Sequence, residues 1–182
     1  MEPHYELSRC GAVAARLGLL WLLWMPGALV AQDFDVLAKQ GGPHLARVER
    51  EPDRGIAHVP NGTAVAQNEA FPVSGPHWSG STRPGFYMQP QPKGELIHAL
   101  EHGQVVVYYD TPSFRALSML RRWSEQFSGP WSGLIVVPHQ GLGNALVLTA
   151  WRHRLHLPEF DEPALAAFID AFRGRGPENP VR

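Results

Sequence analysis

The residues best suited to chemistry lie in one short run, His98-Ala99-Leu100-Glu101-His102. Successive helical residues turn by about 100°, so His98 and His102 fall about 40° apart and Glu101 flanks both. Leu96 and Leu100 point the opposite way, toward the expected core. A helix here therefore presents two imidazoles and a carboxylate together on its non-core face. Histidines at i and i+4 can hold one ion, and a nearby glutamate can ligate, orient an imidazole or act as a base. The competing reading is a pair of solvated histidines on a polar helix face.

Further candidates lie upstream. Phe71-Pro72-Val73-Ser74-Gly75-Pro76-His77-Trp78 contains a turn-forming Ser-Gly-Pro that can fix His77 in one pose, or be a plain turn with an exposed histidine. His58, ahead of Pro60-Asn61-Gly62, carries the same two readings. Met88 follows Phe86-Tyr87 and is either a thioether ligand or core packing. The order of residues from 98 to 102 also fits H-x-x-E-H, in which the glutamate activates a zinc-bound water and a distant downstream glutamate is the third ligand. Glu159, Glu162 and Glu178 are the candidates for that third ligand. No complete catalytic motif is present. Ser74 stands near His77 but lacks a strand-turn-helix elbow.

The elements that position these residues follow from pattern. Asp33 to Gln40 predicts a short helix. From Gly41 to Lys93 periodicity is nearly absent and turn signals recur, as in Gly41-Gly42-Pro43, Asn61-Gly62 and Arg83-Pro84-Gly85. So long an irregular stretch in a compact domain is commonly functional. Glu95 to His102 predicts two helical turns closed by Gly103. Gln104 to Asp110 predicts a buried strand of β-branched and aromatic residues. Ser113 to Phe127 predicts an amphipathic helix. Leu134 to Val137, Ala145 to Trp151 and His153 to Leu157 predict three more strands, and Pro163 to Phe172 a closing helix. The expected fold is α+β: one small domain with a roughly four-stranded sheet and two packed helices, preceded by a long Pro/Gly-rich loop region.

Composition bounds the function. Of 182 residues, 44% are hydrophobic and 18% charged, enough for a real core. The net charge of -1, with no basic stripe, gives no footprint for nucleic acid or an anionic membrane. Leu17 to Ala31 is a 15-residue apolar run after Arg9 and Arg16. That length suits a signal peptide, with an uncleaved N-terminal anchor as the alternative. The expected layout is residues 1–31 as signal or anchor, 32–54 as linker, 55–178 as the domain and 179–182 as a tail. The expected location is extracytoplasmic, periplasmic or secreted, with the N-terminal segment able to stay in the inner membrane. The only cysteine, Cys10, precedes the apolar run, so the exported part has no disulfide, thiol nucleophile or cysteine ligand. The element order faintly suggests a thioredoxin-like redox role, but no Cys-x-x-Cys exists.

Taken together, His58, the Ser74-Gly75-Pro76-His77 turn, Gly85-Phe86-Tyr87, the run from His98 to Gly103 with Val105 to Tyr109, Leu148 to Trp151, and Phe160-Asp161 through Ala167-Phe168-Ile169 resemble the bacterial domain of unknown function 3105. The resemblance covers roughly residues 55 to 178. It departs at Val73, where a Pro-Pro-Thr run is expected before the turn. The resemblance implies small proteins with an N-terminal hydrophobic segment and no established activity.

Three functions compete. The first is metal handling outside the cytoplasm, with His77, His98 and His102 binding one copper or zinc ion, Glu101 beside it, and Met88 and His58 as lesser additions. The second is a non-catalytic, membrane-anchored domain that docks another envelope protein, which exposed tryptophans among Trp78, Trp123, Trp131 and Trp151 would support. The third is a small zinc hydrolase, which needs an open coordination position.

Overall fold

The computed structural model describes Met1 and residues 33–182. The apolar run and Cys10 lie outside the described residues. Asp33 caps the first helix, α1 (Phe34–Gln40), by accepting from the Asp35 N–H. A 3-10 turn (Gly42–Arg47) leads to a two-residue edge strand, β1 (Glu49–Arg50). Two more short strands, β2 (His58–Val59) and β3 (His77–Trp78), pair in parallel as a separate ladder. Another edge strand, β4 (Gly85–Phe86), precedes α2 (Lys93–Glu101). Then follow β5 (Val105–Tyr109), α3 (Phe114–Gln126), β6 (Leu134–Pro138), β7 (Leu146–Ala150), β8 (His153–Leu157) and α4 (Glu162–Phe172).

The class is α+β, as the pattern predicts, and the four long strands fall within a residue or so of their expected limits. The main sheet nevertheless has six strands, in the order β1-β8-β7-β5-β6-β4. The two additions are the dipeptide edges β1 and β4, which are too short to carry a period. Strands β5 and β6 run parallel through the α3 crossover, whereas β5-β7 and β7-β8 are antiparallel.

Alternation along the central strands builds two cores. Val105, Val107, Tyr109, Leu134 and Val136 face one side, where α1, α3 and α4 pack with Trp123 and Phe168 at the centre. Val106, Tyr108, Ile135 and Val137 face the other side, where Leu96, Ile97 and Leu100 of α2 pack. Three helices on one face and one on the other replace the expected two. The stretch 32–54, expected as a linker, supplies α1 and β1 to this domain. Phe34 and Leu37 of α1 are buried, and Phe34 meets Trp123 edge-on at 5.2 Å between ring centroids.

Candidate metal centre

Helix α2 is buried on nearly every side: Gly94, Leu96 to Leu100 and Glu101 are all out of solvent. Its second face is covered by the irregular segment between residues 52 and 80. His98 and Glu101 therefore stand not on a solvated face but beneath that cover, at 7% and 3% exposure. The amphipathic expectation missed this because the covering chain has no period of its own.

Several polar contacts seat the cover. Lys93, at the start of α2, donates its ammonium to the Ala66 and Glu69 carbonyls. Ser74 accepts from the Arg54 N–H at 3.2 Å, and Arg54 pairs with Glu69. The β2-β3 ladder sets His58 directly beside His77. Trp78 lies flat against Gly94, where a Cβ would meet its Cγ at 2.6 Å, so only glycine admits the ring there. The Trp78 indole also donates to the Thr63 carbonyl at 2.9 Å.

His58, His77, His98 and Glu101 consequently converge, each offering one donor atom, with all four atoms within 4.8 Å of one another. The ring centroids of His58, His77 and His98 stand 4.7 to 5.0 Å apart. His77 is fully buried and its Nδ1 lies 2.8 Å from the Gly75 carbonyl. A carbonyl only accepts, so Nδ1 carries a proton, and Nε2 is the ring atom left for a second proton or an ion. Nε2 stands 3.0 Å from Glu101 Oε2, and neither atom has a hydrogen bond of normal geometry. A second imidazole, through His58 Nε2, lies 4.0 Å from the same oxygen.

Two buried acceptors at that distance repel unless a proton or a cation stands between them. Tetrahedral zinc, with ligands at about 2.0–2.1 Å, separates its donors by about 3.3 Å. The spacings of 3.0 and 4.0 Å around Glu101 bracket that value.

His102 is placed differently from the expectation of one set with His77. It caps α2 and joins His98 and Glu178 in an adjoining group, with Nε2 3.0 Å from Glu178 Oε2. Burial, and then the neighbouring His98, lower its pKa, while Glu178 opposes the shift. Of the three downstream glutamates, Glu178 is the one brought to the helix histidines; Glu162 instead pairs with Arg115 at the start of α4. The carboxylate within the motif, Glu101, is turned toward His77.

Met88 stands apart from this constellation. It is exposed, with its sulfur 3.4 Å from the Arg121 guanidinium of α3 and 3.9 Å from the Tyr109 hydroxyl, on the three-helix side of the sheet. The tryptophans are largely engaged: Trp123 is in the core, Trp151 is buried with its ring centroid 6.5 Å from that of His77, and Trp131 packs on His102 at 4.3 Å. Sequence reasoning did not single out Trp131 as a neighbour of the site. Glu178 was visible there only as the distal carboxylate of the H-x-x-E-H pattern.

A six-stranded sheet carrying a His/Glu group, buried except for His58, under an irregular cover is the class that fold and site define. The model of the family described as protein of unknown function DUF3105 matches residues 58–182. The chain belongs to that family. No curated protein and no solved structure matches it. The family match begins at His58 and thus spans every residue of both histidine groups.

Proposed function

We propose that this protein binds a transition-metal ion, zinc or copper(II), at His58, His77, His98 and Glu101, and that it serves metal handling outside the cytoplasm. The observation that carries the reading is the facing pair of buried acceptors, His77 Nε2 and Glu101 Oε2, with two further imidazoles at the same point. Three imidazoles and a carboxylate suit zinc and copper(II) better than magnesium or calcium, which take oxygen ligands. Without thiolate or thioether, the group is a poorer match to copper(I). The extracytoplasmic location rests on the apolar run from Leu17 to Ala31.

The test is elemental analysis of the purified chain, followed by titration of the metal-free protein with Zn(II), Cu(II) and Cu(I). The reading expects at least one tightly held ion per chain. A His58→Ala/His98→Ala double variant should lose it while keeping its circular dichroism spectrum. A wild-type chain that takes up no ion at micromolar metal would overturn the proposal. An imidazolium–carboxylate pair between His77 and Glu101 would then account for the buried contact. In that event the membrane-anchored docking domain becomes the reading to pursue.

A further inference from the structure

The C-terminal segment after α4 does not trail into solvent but returns to the end of α2. Gly174 donates its N–H to the Gly103 carbonyl at 2.7 Å, and Glu178 donates its N–H to the Glu101 carbonyl at 3.3 Å. Between them Gly176 lies so close to α2 that a Cβ there would stand 2.1 Å from the Glu101 carbonyl oxygen. This contact sets the Glu178 carboxylate over His102 at 3.0 Å and His98 at 3.9 Å, measured to their Nε2 atoms. Trp131, packed on the His102 ring, limits how that imidazole can turn.

We infer that His98, His102 and Glu178 form a second ion-binding position, so that the protein holds a pair of ions sharing His98. The inference rests on the metal-binding reading of the inner group and extends it. His98 belongs to both groups. Its Nδ1 is buried with no hydrogen-bond partner, while its Nε2 faces Glu178. One ring can serve two ions only through both nitrogens. The ring proton then leaves to solvent as the second ion arrives, and each nitrogen gives its lone pair to one ion.

The two positions differ in access. Inner ligands His77 and Glu101 are buried and His58 is the one inner ligand open to solvent, with its side chain 49% exposed, whereas in the outer group the Glu178 side chain is 41% exposed and His102 is half-buried. The outer position has three protein ligands and keeps a coordination site for water or an incoming ligand. An ion there, held by three ligands, exchanges more readily than the inner ion, which has four. Such an arrangement suits loading from a soluble metal chelate at the outer position.

The experiment is a metal-to-protein stoichiometry by titration with Zn(II), and with Cu(II) followed by electron paramagnetic resonance. Three full-length chains are compared: wild type, Glu178→Gln and His102→Ala. Glu178→Gln changes one partly exposed side chain by a single atom and leaves the backbone contacts of the segment in place. We expect two ions in wild type, the weaker removed first by dilute chelator, and one ion in each variant. In wild type loaded with two Cu(II), coupling through the shared ring should reduce the resonance intensity below that of two isolated ions. A wild-type stoichiometry of one overturns the second position. If that single ion is retained in Glu178→Gln, the inner-site proposal stands without this extension. If no ion binds at all, both fail. Two ions in Glu178→Gln would equally overturn the assignment of this carboxylate.

Discussion

At the residue scale, the site is defined by buried atoms without a partner: His77 Nε2, His98 Nδ1 and Glu101 Oε2. The Gly75 carbonyl fixes the His77 tautomer and leaves Nε2 aimed at Glu101. Replacing Glu101 by Gln keeps the shape and gives His77 Nε2 an amide donor, so the fold should hold. Second partners of metal ligands alone are worth about 10–100-fold in affinity. Loss of Glu101 itself should weaken zinc binding by about a hundredfold or more, read by competition with a chelator. An unchanged affinity would remove Glu101 from the ligand set. A second expectation concerns His153, which belongs to neither proposed ion group and is stacked on Phe172 at 4.4 Å. Burial lowers its pKa, against the raising effect of its hydrogen bond to the Trp151 carbonyl. The unfolded chain therefore binds this proton more readily than the folded one. Stability from this residue is full above the ordinary histidine value of about 6.5 and is lost as pH falls through the lower folded value. Thermal melts of metal-free protein should show a smaller loss between about pH 7 and about pH 5 in His153→Phe than in wild type. Equal losses would contradict it.

At the scale of elements, the site exists because the chain between residues 52 and 80 lies on α2. Gly94 is where this seating is most sensitive, since Trp78 occupies the space of a Cβ. Gly94→Ala should cost about 1–3 kcal/mol by overpacking, measured by urea denaturation, and should weaken metal binding by lifting β3 from the helix. A neutral effect on both would mean the cover is not held there. Much of the rest was legible in the sequence. Long elements with a period, such as β5 and α3, were placed almost to their ends because side-chain alternation and amphipathicity are local signals. The histidines of α2 were found because i,i+4 spacing is local too. Their burial was not, because it depends on a covering segment whose seating comes from Lys93, Trp78 and Arg54 rather than from any pattern. The neighbour relation of His58 and His77, 19 positions apart, is a strand register that no spacing rule supplies. Glu178 joined His98 and His102 for the same reason: a long-range return of the chain.

At the scale of the whole molecule, the six-stranded sheet separates two kinds of work. One face carries the larger core under α1, α3 and α4, and the other carries α2 and the proposed ions. Among the described residues no helix is long and apolar enough to cross a membrane. Stretch 33–50 is part of the domain, so Leu37→Ala should cost about 2–5 kcal/mol, whereas the same change in a free linker would cost nothing measurable. Ion binding should in turn stabilise the fold, by about 2.7 kcal/mol at a free ion concentration a hundred times Kd, and a chelator should lower Tm by several degrees. The most direct test of the central claim is the anomalous scattering of crystals grown with zinc, collected on both sides of the zinc absorption edge. The account predicts a peak bounded by His58, His77, His98 and Glu101, within about 2.0–2.2 Å of each donor atom. A peak only at surface histidines such as His44 or His156, or none, would contradict it.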